Sequence, residues 1–216
     1  MKRIAIIGAG GHGREVAEIL AQQAAQAGDF TVQGFIDENK ERHGQQIDGL
    51  PVLGDWDWVA ANKDGLAVIC AVGTPAVMRL LVARAQALGI PFANAISPLA
   101  HVSPHATLGE GVVVFPHVII NTGAVIGSYV TLNLAATVSH DTRIGEYCNI
   151  NPGVHLAGNV TIGAGCYVGM GTNVIQGKSI GPNTIIGAGA VVNRDVPARV
   201  TAVGVPAKVI KQHKEQ

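Results

Sequence analysis

From Ile96 onward every sixth residue is aliphatic: Ile96, Val102, Leu108, Val114, Ile120, Ile126, Leu132, Val138, Ile144, Ile150, Leu156, Ile162, Val168, Val174, Ile180, Ile186 and Val192, seventeen positions without a miss. A fixed period of this kind marks an architecture of stacked units, each burying its apolar face against the next. Two further registers keep the same beat. One residue after the aliphatic position stands Gly or Asn in eleven of seventeen cases, with Gly109, Gly127, Gly145, Gly163 and Gly181 spaced by eighteen. Three residues after it, Gly, Asn or Asp occurs in eleven of seventeen, and these residue types tolerate a positive φ, so this register predicts a corner. A period of six with a glycine beat of eighteen predicts three short strands and three corners per coil, between five and six coils in all. The residue four places after the aliphatic one is small or β-branched, as at Ala100, Ala106, Val118, Ala136, Cys148, Cys166 and Thr184, and fills the remaining interior. Lys178 breaks that register and predicts a bulge or an outward side chain.

Residues 1–95 carry a different pattern, alternating β and α. Arg3–Ile7 reads as a short buried strand, followed by Gly8-Ala9-Gly10-Gly11-His12-Gly13 and a helix presenting Val16, Ile19, Leu20 and Ala24. A second strand runs through Val32–Ile36 to Asp37, and a third through Ala67–Val72 to Gly73. Thr74 suits the cap and Pro75 the first turn of the next helix, which Gly89 stops. The predicted organisation is a Rossmann-like βαβ domain over 1–95, a β-helix over 96–197 and a tail over 198–216.

Composition narrows the function classes. Fifteen basic residues balance fifteen acidic ones among 216, so no global charge draws the chain to nucleic acid or anionic lipid. No apolar run approaches the roughly 20 residues of a membrane span, and the N-terminus lacks the form of a signal peptide. Cys70, Cys148 and Cys166 form no CxxC pair, which fits a reducing, cytoplasmic setting. Cys148 and Cys166 fall in the interior register and read as core residues rather than nucleophiles.

Gly8-x-Gly10-x-x-Gly13 between a strand and a helix is the dinucleotide fingerprint. Its glycines let backbone approach a phosphate at a helix N-terminus, and an acidic residue ending the second strand, here Asp37, can hold a ribose hydroxyl. The domain is about half a full Rossmann sheet, so the same physics suits a nucleotide sugar, NAD, or a turn with no ligand at all. Of the eight histidines, His43 and His213 lie in polar stretches, and His101, His105, His117 and His155 read as outer-face residues of the coil. His140 stands apart: it is two places after Val138, immediately before the corner residue Asp141, and so projects along an edge of the prism. A carboxylate beside an imidazole fixes its tautomer and favours its protonated form, which suits removal of a proton from an attacking amine or hydroxyl. A surface His beside a surface Asp is the alternative.

The Gly10-Gly11-His12-Gly13 run, Asp37-Glu38, Ala71-Val72-Gly73, the unbroken hexads, His140-Asp141, Ala157-Gly158-Asn159-Val160 and the ending Gly204-Val205-Pro206-Ala207-Lys208 together give a chain that resembles the NeuD/PglD-type sugar O- or N-acyltransferases of the hexapeptide-repeat superfamily. The resemblance implies an α/β half-Rossmann-like domain followed by a left-handed parallel β-helix, and homotrimers with active sites between subunits. It implies acetyl-CoA as co-substrate, with His140 as general base, Asp141 beside it and Asn133 at the acceptor. Gly10, Gly11, His12, Asp37, Glu38 and Gly73 would hold a nucleotide sugar. Gly158 would meet the thioester oxygen, and Asn149, Met170 and Ala188 would border coenzyme A; no metal is implied. Asp141 stands where members of the family carry Glu, and Asn149 where some carry a second His. The first functional reading is N-acetylation of a UDP- or GDP-linked amino-dideoxy sugar for bacterial glycan biosynthesis. The second is O-acetylation of sialic acid or another sugar, and a third, from another class, is a non-catalytic or metal-dependent β-helix protein.

Overall fold

The computed structural model describes residues 2–214. The chain divides into two compact units, Met1–Pro98 and Leu99–Gln216.

In the first unit, β1 (Lys2–Ile7), β2 (Phe30–Ile36), β4 (Leu50–Gly54) and β5 (Leu66–Cys70) form a parallel sheet in the order β4-β2-β1-β5. A short antiparallel strand, β3 (Gln46–Ile47), extends its edge. Helices α1 (Gly11–Ala27), α2 (Trp56–Ala61) and α3 (Pro75–Ala87) connect the strands. The core is built from β1 and β5, buried along most of their length, with Val16, Ile19 and Leu20 of α1 and Phe35 of β2. Because β1 pairs with both β2 and β5, the strand order reverses beside β1, and the crevice beyond the carboxyl ends of β1 and β5 is where ligands bind in sheets of this kind. The β3–β4 hairpin and α2 were not among the predicted elements. Asp48-Gly49, with φ of 49° and 82°, is the two-residue turn that joins the hairpin strands, and Asp55 caps α2 by accepting from the Asp57 N–H. Those two short signals mark the elements; the segment lacks a long apolar period. Thr74 occupies the N-cap position of α3 without a side-chain capping bond, and Gly89 follows the helix at φ 70°.

The second unit is a three-sided coil of two-residue strands. One face stacks His101–Val102, Ile119–Ile120, Thr137–Val138, His155–Leu156, Asn173–Val174 and Val191–Val192. The second stacks Thr107–Leu108 through Ser179–Ile180, and the third includes Val113–Val114, Thr131–Leu132, Asn149–Ile150, Tyr167–Val168 and Ile185–Ile186. All pair in parallel with the strand eighteen residues away, as Val138 does with Leu156. From Val114 to Val192 every aliphatic hexad position is buried; Val102 and Leu108, in the first coil, are half-buried. The register runs through Lys178 without a shift, and its side chain is half-buried. Beyond the coil, Val200–Val203 joins the third face and pairs antiparallel with Lys208–Gln212.

The small interior positions satisfy their own polar atoms. Thr142, Cys148, Cys166 and Thr172 each donate to the carbonyl fifteen residues on, at 2.9–3.2 Å. Burial pushes the Cys70 thiol up to about 12, and the neighbouring Cys166 sulfur together with burial holds Cys148 well above its ordinary value. Neither thiol is a nucleophile at neutral pH.

The two glycine registers serve different ends. At the corner register, all fourteen residues from Gly111 to Gly189 have φ between 55° and 71°, whether glycine or not. The glycine beat of eighteen has no positive φ; it is demanded by close approach of the next coil. A Cβ on Gly109 would lie 2.6 Å from the Ser128 N, on Gly127 2.7 Å from the Glu146 N, and on Gly145 2.6 Å from the Ala164 N. Backbone cannot step aside as a side chain can. Gly145→Ala is therefore expected to destabilise the coil by about 1–3 kcal/mol, read as a lower urea midpoint at unchanged slope.

Candidate active site

The outward positions of the coil form vertical columns, because residues eighteen apart stack on one another. The edge that follows the first face carries Thr122-Gly123, His140-Asp141, Gly158-Asn159 and Gln176-Gly177. Asp141, at φ 60°, donates its N–H to the Thr122 carbonyl one coil away, and the Asn159 N–H is donated to the His140 carbonyl. This corner turns both side chains outward, leaving His140 and Asp141 half or more exposed.

Nδ1 of His140 lies 3.0 Å from Oδ2 of Asp141. An ionised carboxylate only accepts, so the proton of the neutral ring sits on Nδ1 and Nε2 keeps its lone pair. The ring lies over Gly158, which it buries; a Cβ there would collide with Nε2 and sit 2.5 Å from Cε1. Gly158 thus serves as the floor on which the imidazole rests.

The remaining expected residues of the coil lie elsewhere. Asn133, Met170 and Ala188 all belong to the edge that follows the third face, separated from the His140 edge by the whole first face. Asn133 turns its Oδ1 to the Leu134 N–H at 2.7 Å, Met170 is 59% exposed and Ala188 is exposed. Asn149 lies on the third face and is buried. A single chain therefore brings His140, Asp141 and Gly158 together and keeps Asn133, Met170 and Ala188 apart from them. The sequence holds this separation: the two sets differ in phase within the eighteen-residue coil.

In the first unit, Gly10 is the N-cap of α1, with no side chain to cap it, and Gly11 is its first residue. The four glycines of the Gly8–Gly13 segment divide into two pairs. Gly8 has φ 109°, and a Cβ on Gly13 would strike the Gly8 carbonyl, so both are required by the chain itself. Gly10 has φ −81°, and nothing lies within 4 Å of a Cβ on Gly10 or Gly11. Neither conformation nor packing requires glycine at these two, and both are exposed beside uncapped helix N–H groups, a setting that suits an anion.

Asp37 is more engaged than its expected ribose role requires. Its carboxylate accepts from the Ala9 N–H at 3.1 Å, the Asn39 N–H at 2.9 Å and the Arg42 guanidinium at 3.1 Å, tying the glycine loop to the end of β2. Arg42 is a contact that the sequence reading lacked. Glu38 pairs with Arg84 at 2.5 Å, and Arg84 lies 5.1 Å above the Trp56 ring. Gly73 is exposed in the turn between β5 and α3. His43 and His213, which lie in polar stretches of the sequence, are half-buried: His43 Nε2 lies 2.8 Å from the Asp37 carbonyl, and His213 Nε2 lies 2.9 Å from Thr201 Oγ1.

Burial lowers the pKa of His12 below its ordinary 6.5, with Glu15, 3.6 Å away, opposing the shift. The native imidazole binds protons less readily than the unfolded one, so its contribution is whole above pH 6.5 and declines as pH falls below it. Urea unfolding at pH 7.5 and 5.5 is expected to show a smaller loss on acidification in His12→Gln than in the unchanged chain.

Comparison with known proteins identifies relatives of both units. Residues 3–85 match the PglD N-terminal domain, and residues 141–176 match the bacterial transferase hexapeptide family of six repeats. PerB from Caulobacter crescentus, solved with CoA and GDP-perosamine, is 39% identical at a TM-score of 0.88, covering 97% of each chain. The chain belongs to the PglD-type sugar acyltransferases. The acetyltransferase domain of PglB from Neisseria gonorrhoeae is 34% identical, covering 97% of this chain and 100% of its own at a TM-score of 0.87. WeeI from Acinetobacter baumannii is 31% identical, with the same coverage and a TM-score of 0.88. No curated protein sequence matches the chain. This acyltransferase is thus an α/β domain followed by a left-handed parallel β-helix, and among the described residues no helix is long and apolar enough to cross a membrane.

Proposed function

We propose that this acyltransferase moves the acetyl group of acetyl-CoA to the amino group of a UDP- or GDP-linked amino-dideoxy sugar, with His140 as general base. The observation that carries the reading is the His140 ring, held on Nδ1 by Asp141 over a glycine floor, which leaves the lone pair on Nε2. The Caulobacter enzyme with CoA and GDP-perosamine, and the Neisseria domain with acetyl coenzyme A, support both substrates. The open glycines at the α1 N-terminus support the diphosphate, with His12, Asp37, Glu38 and Gly73 bordering the nucleotide sugar.

The amine attacks the thioester carbonyl and a C–N bond forms. Its proton passes to Nε2 of His140, the C–S bond breaks, and the departing thiolate takes up a proton. The Gly158 N–H, donated to no backbone carbonyl among the described residues, faces the developing oxyanion, the type of preorganised donor that contributes strongly to such reactions. The separation of Asn133, Met170 and Ala188 from His140 supports a homotrimer, in which the His140 edge of one subunit meets the Met170 edge of the next. The exposed apolar side chains of Leu134 and Met170 favour such burial.

A thiol-release assay with acetyl-CoA against UDP- and GDP-linked 4-amino-4,6-dideoxy sugars, with sialic acid included, tests the reading. Release with an amino sugar supports it. Release with sialic acid alone moves the acceptor from nitrogen to oxygen, and silence on all of them refutes the acceptor class.

A further inference from the structure

The column that carries His140 and Asp141 contains a second vacancy, one coil before the pair. Gly123 has φ 70° at the corner register. That conformation alone does not demand glycine, since Asp141 and Asn159 in the same column adopt φ 60° and 59°, and Ala135 adopts 56° at another edge. Packing singles Gly123 out. A Cβ on it would lie 2.5 Å from Oδ1 of Asp141 and 3.4 Å from its Cγ. At Gly177, of the same column and the same φ, nothing lies within 4 Å of a Cβ.

The carboxylate of Asp141 therefore occupies the space that a side chain at position 123 would fill. From there its other oxygen reaches Nδ1 of His140. Any side chain at 123 meets the mobile end of Asp141 rather than backbone, so the carboxylate yields and the coil does not. We propose that Gly123 is a positioning residue for acyl transfer: its missing side chain is the seat from which Asp141 fixes the His140 imidazole. This rests on the reading of His140 as base.

The test compares Gly123→Ala with Gly177→Ala, which introduces the same backbone strain without a carboxylate in the way. Coenzyme A release is followed at saturating and limiting substrate. Gly123→Ala is expected to lower kcat by roughly ten- to a hundredfold, the scale of a misplaced catalytic group, with KM for both substrates unchanged. Gly177→Ala keeps kcat. Added to Asp141→Asn, the Gly123→Ala change is expected to cause no further loss, because the two act through one contact. Gly123→Asn, whose side chain suits this corner as Asn159 and Asn183 do, gives the same loss and serves if the alanine variant does not fold. Full kcat in folded Gly123→Ala or Gly123→Asn beside an inactive His140→Ala overturns the proposal and leaves the base reading intact. Equal losses in Gly123→Ala and Gly177→Ala, or additive loss with Asp141→Asn, overturn it as well. Full turnover in His140→Ala removes the base and the positioning role together.

Discussion

His140→Ala is expected to release coenzyme A about 10²–10⁴-fold more slowly than the unchanged chain, the loss typical of a removed general base. The ring is about half exposed on the outer edge of the coil, so its truncation leaves the stacked aliphatic core in place. Affinity for acetyl-CoA and for the sugar should stay close to normal, since the ring acts on the proton and not on either substrate's anchoring groups. The loss then falls on kcat rather than KM. Steady-state kinetics on a folded variant decides the matter. Turnover within a few-fold of normal would remove His140 from the mechanism and return it to a surface histidine beside a surface aspartate.

The second large effect is expected at Gly158. A Cβ at this position enters the space of the imidazole, within 2.5 Å of Cε1 and 3.1 Å of Cδ2. The ring is the movable partner, because Gly158 is fixed in the coil, accepting the Gly177 N–H at 3.0 Å. Gly158→Ala should therefore swing His140 away from Asp141 while the coil keeps its stability. Displacement of a catalytic group by about 1 Å can cost roughly 10²-fold in rate, and a comparable fall in kcat with an unchanged unfolding midpoint is expected. A fall in stability with normal kcat per folded molecule would mean that the coil yields instead of the ring. Gly145→Ala offers the contrast: there the clash is with backbone, and stability is lost.

Much of this was legible in the residues. Seventeen aliphatic positions at a period of six can be buried only by stacking, and the corner register named by Gly, Asn and Asp is the one in which every residue from 111 to 189 has a positive φ. The placement of Cys148 and Cys166 in the core followed from the same count, as did the outward projection of His140. The β3–β4 hairpin escaped notice because its strands are too short for a period, and only Asp48-Gly49 announces it. Asp37 read as a ribose ligand because its place at the strand end is the familiar one. Its hold on the Ala9 N–H and Arg42 depends on where the chain returns, which no local pattern encodes.

The sequence alone determined the coil, the βαβ character of the first unit and the edge on which His140 stands, because each follows from short-range periodicity. Tertiary structure decided what each glycine is for. Gly109, Gly127 and Gly145 yield to backbone eighteen or nineteen residues away, Gly158 to an imidazole, Gly123 to a carboxylate, while Gly10 and Gly11 face open space. A glycine is one letter in the sequence, but the reason for it is the atom that would otherwise collide with its side chain, and only the folded chain brings that atom near.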